Sequence, residues 1–281
     1  MLFLVPILLL LVAFFLIPLL ELLGLSFRLF TPDPRDADAP LTIDNYVRIL
    51  GDAFYLEMLG NSLQLAFYST LASLVIGYAV AFYLTRVSGW ERTLIAVACL
   101  LPIFINVIVG ILGWYILLLP FGVFQQALSA IGLIEGPLRW LRSFWALVAV
   151  LTYEHLPFAV LILASSLQNV PRDKIAAARI LGASNWRILW TVLLPLTMPG
   201  IVASAILVFS LSVSSYLVPI LIAGPGAQVI PISIFSFASE LLDWNMAGAL
   251  AFVLLVVVAA ITYGFLVLTN RLTRRGQWEM V

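Results

Sequence analysis

Few side chains in this protein could do chemistry, and the most conspicuous sit inside an apolar run. Tyr153-Glu154-His155-Leu156-Pro157 interrupts a stretch that is otherwise Val, Leu, Ala and Phe. Glu154 is the one acid deep within a segment long enough to cross a membrane. A carboxylate at a bilayer centre costs about 2.5–3.5 kcal/mol on insertion scales, so it should face protein or a water-filled cavity. Two readings stand side by side. Glu154 lines a pathway for a cationic solute, or it is a structural acid, protonated or hydrogen-bonded to a neighbouring span. His155 is adjacent, but consecutive helical residues point in different directions, so a structural hydrogen bond is its simpler role. Tyr153 joins Glu154 as a candidate pathway residue. Ser210, Ser214 and Tyr216 are further candidates, with Ser210 and Ser214 at i, i+4. Packing of helices through small hydroxyl residues is the competing reading for those serines.

The missing chemistry is informative too. There is 1 histidine and 1 cysteine, so a two-histidine zinc site and an internal disulfide are both excluded. Glu154-His155 is not H-E-x-x-H, and no G-x-x-x-x-G-K-[ST] P-loop occurs. No Ser-His-Asp context is recognisable. The expectation is a chain with no catalytic residue, no metal and no cofactor of its own, whose energy source lies in another subunit. A net charge of +0 gives no reason to expect nucleic acid as a partner.

The elements that must position these residues are membrane spans. The 281-residue chain is 63% hydrophobic and 10% charged, whereas soluble domains carry about 25% charged residues. Apolar runs place spans at 2–25, 61–84, 94–119 (bent at Pro102), 143–168, 201–222 and 247–269, each near the length that a bilayer requires. The first run has no basic segment before it and no small-x-small cleavage site after it, so it is expected to remain as a span. The fold expected is an all-α integral membrane protein, one domain over residues 1–281. Between the spans lie a loop at 26–60 with a short amphipathic helix at 42–50, a loop at 120–142 with a short helix, and a loop at 224–245.

The polar stretch from Val170 to Ile201 differs from these. Pro171 and Asp173 suit a helix start, Gly182 a helix stop, and Ser184 or Asn185 the cap of a second helix. Trp186, Leu189, Trp190 and Leu193 then form one apolar face. Pro195 is expected to end that helix, and Pro199-Gly200 to open the next span.

This stretch resembles the "EAA" loop of ABC-importer permeases: Glu-Ala-Ala, three residues, Gly, nine residues, Ile-x-Leu-Pro. Ala177-Ala178 matches the Ala-Ala, Gly182 the Gly, Val192 the Ile, and Leu194-Pro195 the Leu-Pro, all at the family's spacing. Ala176 stands where the family usually has Glu. The resemblance implies a coupling-helix loop at 170–199, between spans four and five, that docks on a cytoplasmic ATPase through Ala176, Ala177, Ala178, Gly182, Ala183, Ser184 and Pro195. It also implies a second permease chain, an external substrate-binding protein, and ATP with Mg held by the ATPase. Further stretches resemble the polyamine, opine and phosphonate branch, and favour a spermidine/putrescine-type permease over a sugar permease: Thr42-Ile43-Asp44-Asn45-Tyr46, Asn61-Ser62-Leu63, Pro171-Arg172, the run from Leu194 to Ile201, and Asp243-Trp244. They imply a polyamine solute. An opine, phosphonate, amino acid or sugar is the alternative, and a self-sufficient secondary transporter a more distant one.

Charge gives the orientation. Arg86, Arg92, Arg172, Lys174, Arg179, Arg187, Arg271, Arg274 and Arg275 fall on one side, nine in all, and Arg28, Arg35, Arg48, Arg139 and Arg142 on the other, five in all. Both termini and the 170–199 loop are therefore expected in the cytoplasm, in a bacterial inner membrane.

Overall fold

A computed structural model of the chain describes residues 4–30, 40–120, 122–132, 140–224 and 227–278. Arg35 and Arg139, counted above for orientation, lie outside the described residues. The described residues are helical nearly throughout, with a single isolated bridge between Arg28 and Leu41. Six segments are long and apolar enough to cross a membrane: Leu9–Ser26, Ala53–Leu84, Val107–Ala130, Phe144–Gln168, Asn185–Val213 and Trp244–Val267. They fall into two compact units, one drawn from Met1–Ser62 with Ala227–Ala259, the other from Leu63–Gly226 with Ala260–Val281.

The first unit is held by buried side-chain amides and hydroxyls. The short amphipathic helix, Asp44–Gly51, buries Ile49. At its start the Thr42 hydroxyl accepts from the Asp44 amide at 3.0 Å. The Asn45 amide donates to the carbonyls of Ser26 and Arg28 at 3.0 and 3.1 Å. Asn245 donates to the carbonyls of Arg28 and Leu29 at 3.0 and 3.2 Å, and the Asp243 carboxylate caps the last span by accepting from the Met246 amide at 2.9 Å. The residues that carried the secondary likeness at 42–46 and 243–244 thus flank and cap one clasped segment.

The start of the second span and the loop at 224–245 differ from expectation. The second span does not begin at Asn61. Its helix starts at Ala53, and the Asp52 carboxylate accepts from the Phe54 amide at 2.9 Å, which caps it. Nothing between Asp52 and Asn61 interrupts a helix, and Ser62 lies inside, accepting from the Ile230 amide at 2.9 Å. The loop at 224–245 likewise contains a helix, Ile230–Ser239.

In the second unit the fourth span, Phe144–Gln168, is the central element, with Val150, Leu151, Ala159 and Leu163 fully buried. Its neighbours approach through glycine. A Cβ on Gly77 would meet the Ala159 Cβ at 3.1 Å, and one on Gly200 would collide with the Ser166 side chain. Tyr78 and Thr197 hydroxyls bond at 3.2 Å.

The third span is broken rather than bent. Helices Trp90–Phe104 and Val107–Leu118 are separated at Ile105 and Asn106. Pro102 removes one amide donor, and Ile105 adopts extended backbone (ψ 137°). Asn106 then starts a new helix by accepting from the Ile108 amide at 3.0 Å. The fifth span differs in the other sense, because Pro195 does not end a helix. Asn185–Ile188, a π-helical stretch Leu189–Leu193 and Leu194–Val213 run on as one rod. The wider π turn, in which the Leu194 amide reaches back to Leu189, lies directly before Pro195 and lets the rod pass a residue that has no N–H to donate. The rod stops at Ser214, with a further π-helical turn at Pro219–Ala223.

Candidate functional site

Two places in the second unit carry the predicted site residues. One is a cleft beside the break in the third span. Pro102, Ile105, Asn106, Val107, Gly110 and Ile111 form one wall, and Val150, Tyr153 and Glu154 of the fourth span the other. The cleft holds about 20 Å³, room for one water-sized group. Tyr153 lies edge-on to Trp114, ring centroids 5.6 Å apart. Oε2 of Glu154 is buried and accepts no hydrogen bond from the described residues.

His155, one residue on, faces elsewhere. Its Nδ1 pairs with the Ser212 hydroxyl at 3.0 Å, both side chains buried. That bond ties the fourth span to the fifth two residues before the rod ends, so His155 is structural, as expected. Ser210 and Ser214 are not part of the cleft. The Ser214 hydroxyl donates to the Ser210 carbonyl at 2.8 Å along their own helix, and Ser214 is exposed. Tyr216 is half-buried beyond the end of the rod. Sequence reasoning missed Asn106 and Gly110. Pro102 followed four residues later by Asn, a favoured helix cap, was the signal for the first.

The other place is the stretch after the fourth span. A helix, Arg172–Ile180, ends where Gly182 takes a φ of 78°, a conformation open to glycine at little cost. The Ala183 amide reaches the Ala178 carbonyl at 3.0 Å and the Gly182 amide the Arg179 carbonyl at 2.9 Å. This paired pattern is a Schellman motif. Ser184, not Asn185, caps the next helix, accepting from the Arg187 amide at 3.3 Å. Ile175, Ala178, Ala183, Leu189 and Val192 pack onto a core of Leu163, Leu167, Val170, Ile188 and Leu193, which fixes the hairpin to the fourth span. Trp186 and Trp190 are not on the buried face. They are 68% and 56% exposed and lie edge-on to each other. Ala176, Ala177 and Pro195 are exposed. At the turn, Ile180 and Leu181 are 86% and 87% exposed, among the exposed cations Arg172, Lys174, Arg179 and Arg187.

A family model described as binding-protein-dependent transport system inner membrane component matches residues 73–275. The chain belongs to this family. It is thus a permease component of an ABC importer, a multi-pass protein of the bacterial inner membrane. The permease is 34% identical over 248 residues to the spermidine/putrescine transport system permease protein PotB of Escherichia coli (strain K12), covering 88% of this chain and 90% of that one. It is 29% identical to the trehalose/maltose transport system permease protein MalG of Thermococcus litoralis, covering 74% and 72%. Its fold matches a chain from the crystal structure of a bacterial ABC transporter involved in the import of the acidic polysaccharide alginate, with a TM-score of 0.77, 19% identity and coverage of 97% and 94%.

Proposed function

We propose that this permease forms part of the membrane pathway of an ATP-driven importer of polyamines such as spermidine and putrescine. The observation that carries the solute class is the likeness to PotB over 88% of the chain. An unpartnered carboxylate oxygen within the fourth span suits a cationic solute. In this reading the termini and the 170–199 hairpin face the cytoplasm. Two ATPase subunits dock on the hairpin, hold ATP and Mg, and drive the pathway between inward and outward access. A second, homologous permease chain completes the pathway, and an external binding protein delivers the solute.

The hairpin is suited to docking because its fold is fixed from within while its tip is left open. The Schellman turn and the Ser184 cap close the backbone. Ile180 and Leu181 then stand out as an apolar knob of the kind that fills a partner's pocket. Ala176, in place of the family's usual Glu, brings no charge to that contact. Tyr153 and Glu154 are the pathway residues of this reading, and Ser210, Ser214 and Tyr216 belong to the end of the fifth-span rod.

The test is calorimetry on the external binding protein that co-purifies with the permease and its ATPase. Polyamines, amino acids, opines, phosphonates and sugars are titrated in turn. Tight binding of spermidine or putrescine is expected. Binding of a sugar or an anion instead, with polyamines ignored, would overturn the polyamine assignment and leave the importer assignment in place.

A further inference from the structure

We propose that the cleft between Asn106–Gly110 and Tyr153-Glu154 is a subsite for one primary ammonium group, held by Glu154 and gauged by Gly110. The proposal rests on the polyamine reading and narrows it to a head group and a size. Glu154 Oε2 is buried with no donor among the described residues, and a buried carboxylate oxygen without a donor is costly to maintain. A cation from outside the chain removes that cost.

The backbone around the cleft favours the same occupant. Pro157 lacks an N–H, so the carbonyl of Tyr153, four residues earlier, has lost its helical donor. Pro102 and Ile105 bring the C-terminal end of the Trp90–Phe104 helix to the cleft, and such an end carries about half a negative charge. The Val107–Leu118 helix begins at the same place with an opposite charge of similar size, and Asn106 already engages its Ile108 amide. The two helix ends offset each other. The charge of the carboxylate, once an ammonium sits beside it, therefore sets the sign.

Size sets the rest of the selectivity. A cleft of about 20 Å³ takes one water-sized group. An –NH₃⁺ head is of that size and offers three donors, which the Glu154 carboxylate and the Tyr153 carbonyl can accept. A trimethylammonium or a guanidinium is too wide. A linear polyamine therefore enters end-on, one terminal amine at a time. Gly110 holds the width. A Cβ there would stand 3.7 Å from Cε1 and the hydroxyl of Tyr153, an ordinary contact, so Gly110→Ala keeps the packing and fills the cleft with a methyl group.

The experiment is initial-rate spermidine uptake by the full complex in proteoliposomes, with ATPase, binding protein and ATP present. Glu154→Gln is expected to lower the rate about tenfold or more, the fold-change of losing a charge-assisted hydrogen bond. Gly110→Ala is expected to lower it about threefold, with the ATPase still co-purifying at wild-type yield. Should Glu154→Gln fail to assemble, Gly110→Ala decides alone. Wild-type rates in the assembled variants would overturn the subsite and leave the polyamine reading intact. Absence of spermidine uptake by the wild-type complex would overturn the polyamine reading, and the subsite with it.

Discussion

The cleft at Glu154 and the hairpin tip at Ile180-Leu181 are incomplete in opposite ways. Beside the cleft, which Glu154 helps to line, its carboxylate oxygen Oε2 is buried with no hydrogen-bond partner among the described residues. At the tip two large apolar side chains stand uncovered among cations. Each departs from its surroundings, and in the proposed reading each is completed by something outside the chain: a cation in one case, an apolar pocket in the other. His155 is the instructive contrast. It is adjacent to Glu154, as polar and more deeply buried, but its bond to Ser212 closes within the chain.

The comparison is broken most severely at the tip. Ile180→Asp with Leu181→Asp should weaken ATPase binding by about a hundredfold or more, the scale of losing two anchor side chains. Titration of labelled ATPase against the permease in detergent measures it, and unchanged affinity would remove the tip from the docking surface. Next comes the packing that links the two places. Gly200→Val drives a side chain into Ser166 and should cost about 1–3 kcal/mol, the usual penalty of overpacking, seen as a lower thermal unfolding temperature. Gly182→Ala forces a left-handed residue with a Cβ into the turn and should cost about 1–2 kcal/mol. Its effect should appear as faster hydrogen exchange confined to residues 178–187. Smallest is Ser212→Ala, which removes the bond to His155 for about 0.6 kcal/mol, the average for such bonds between membrane helices. Spermidine uptake should stay near the wild-type rate. A loss as large as that of Glu154→Gln would move His155 from the structural to the functional side of the comparison.

Local backbone devices were the most legible in the sequence. The Gly182 stop, the Ser184 cap and the fourth span, expected at 143–168 and found at Phe144–Gln168, follow from short-range chemistry that needs no tertiary context. The prolines were less legible. Pro102 was expected to bend a helix and stands just before a break, while Pro195 was expected to end one and is traversed. What decides is the next acceptor or donor along the chain: Asn106 offers a new cap, whereas the π turn at Leu189–Leu193 accommodates the missing amide. The buried face of the helix after Ser184 was misplaced because Trp186 and Trp190 are as apolar as Ile188 and Leu193. In a membrane protein an apolar face can meet lipid or a partner as well as the core, so hydrophobic period marks the helix but not its inner side. Glu154 was visible as an anomaly from composition alone. Its cleft was not, because Asn106 and Gly110 reach it from a different span.

The measurement that bears most directly on the importer itself is spermidine accumulation in proteoliposomes containing the permease pair and ATPase, with binding protein and ATP each supplied or withheld. Accumulation only when both are present is the predicted result. Accumulation without ATP, driven by an ion gradient, would contradict it and make the chain a self-sufficient transporter.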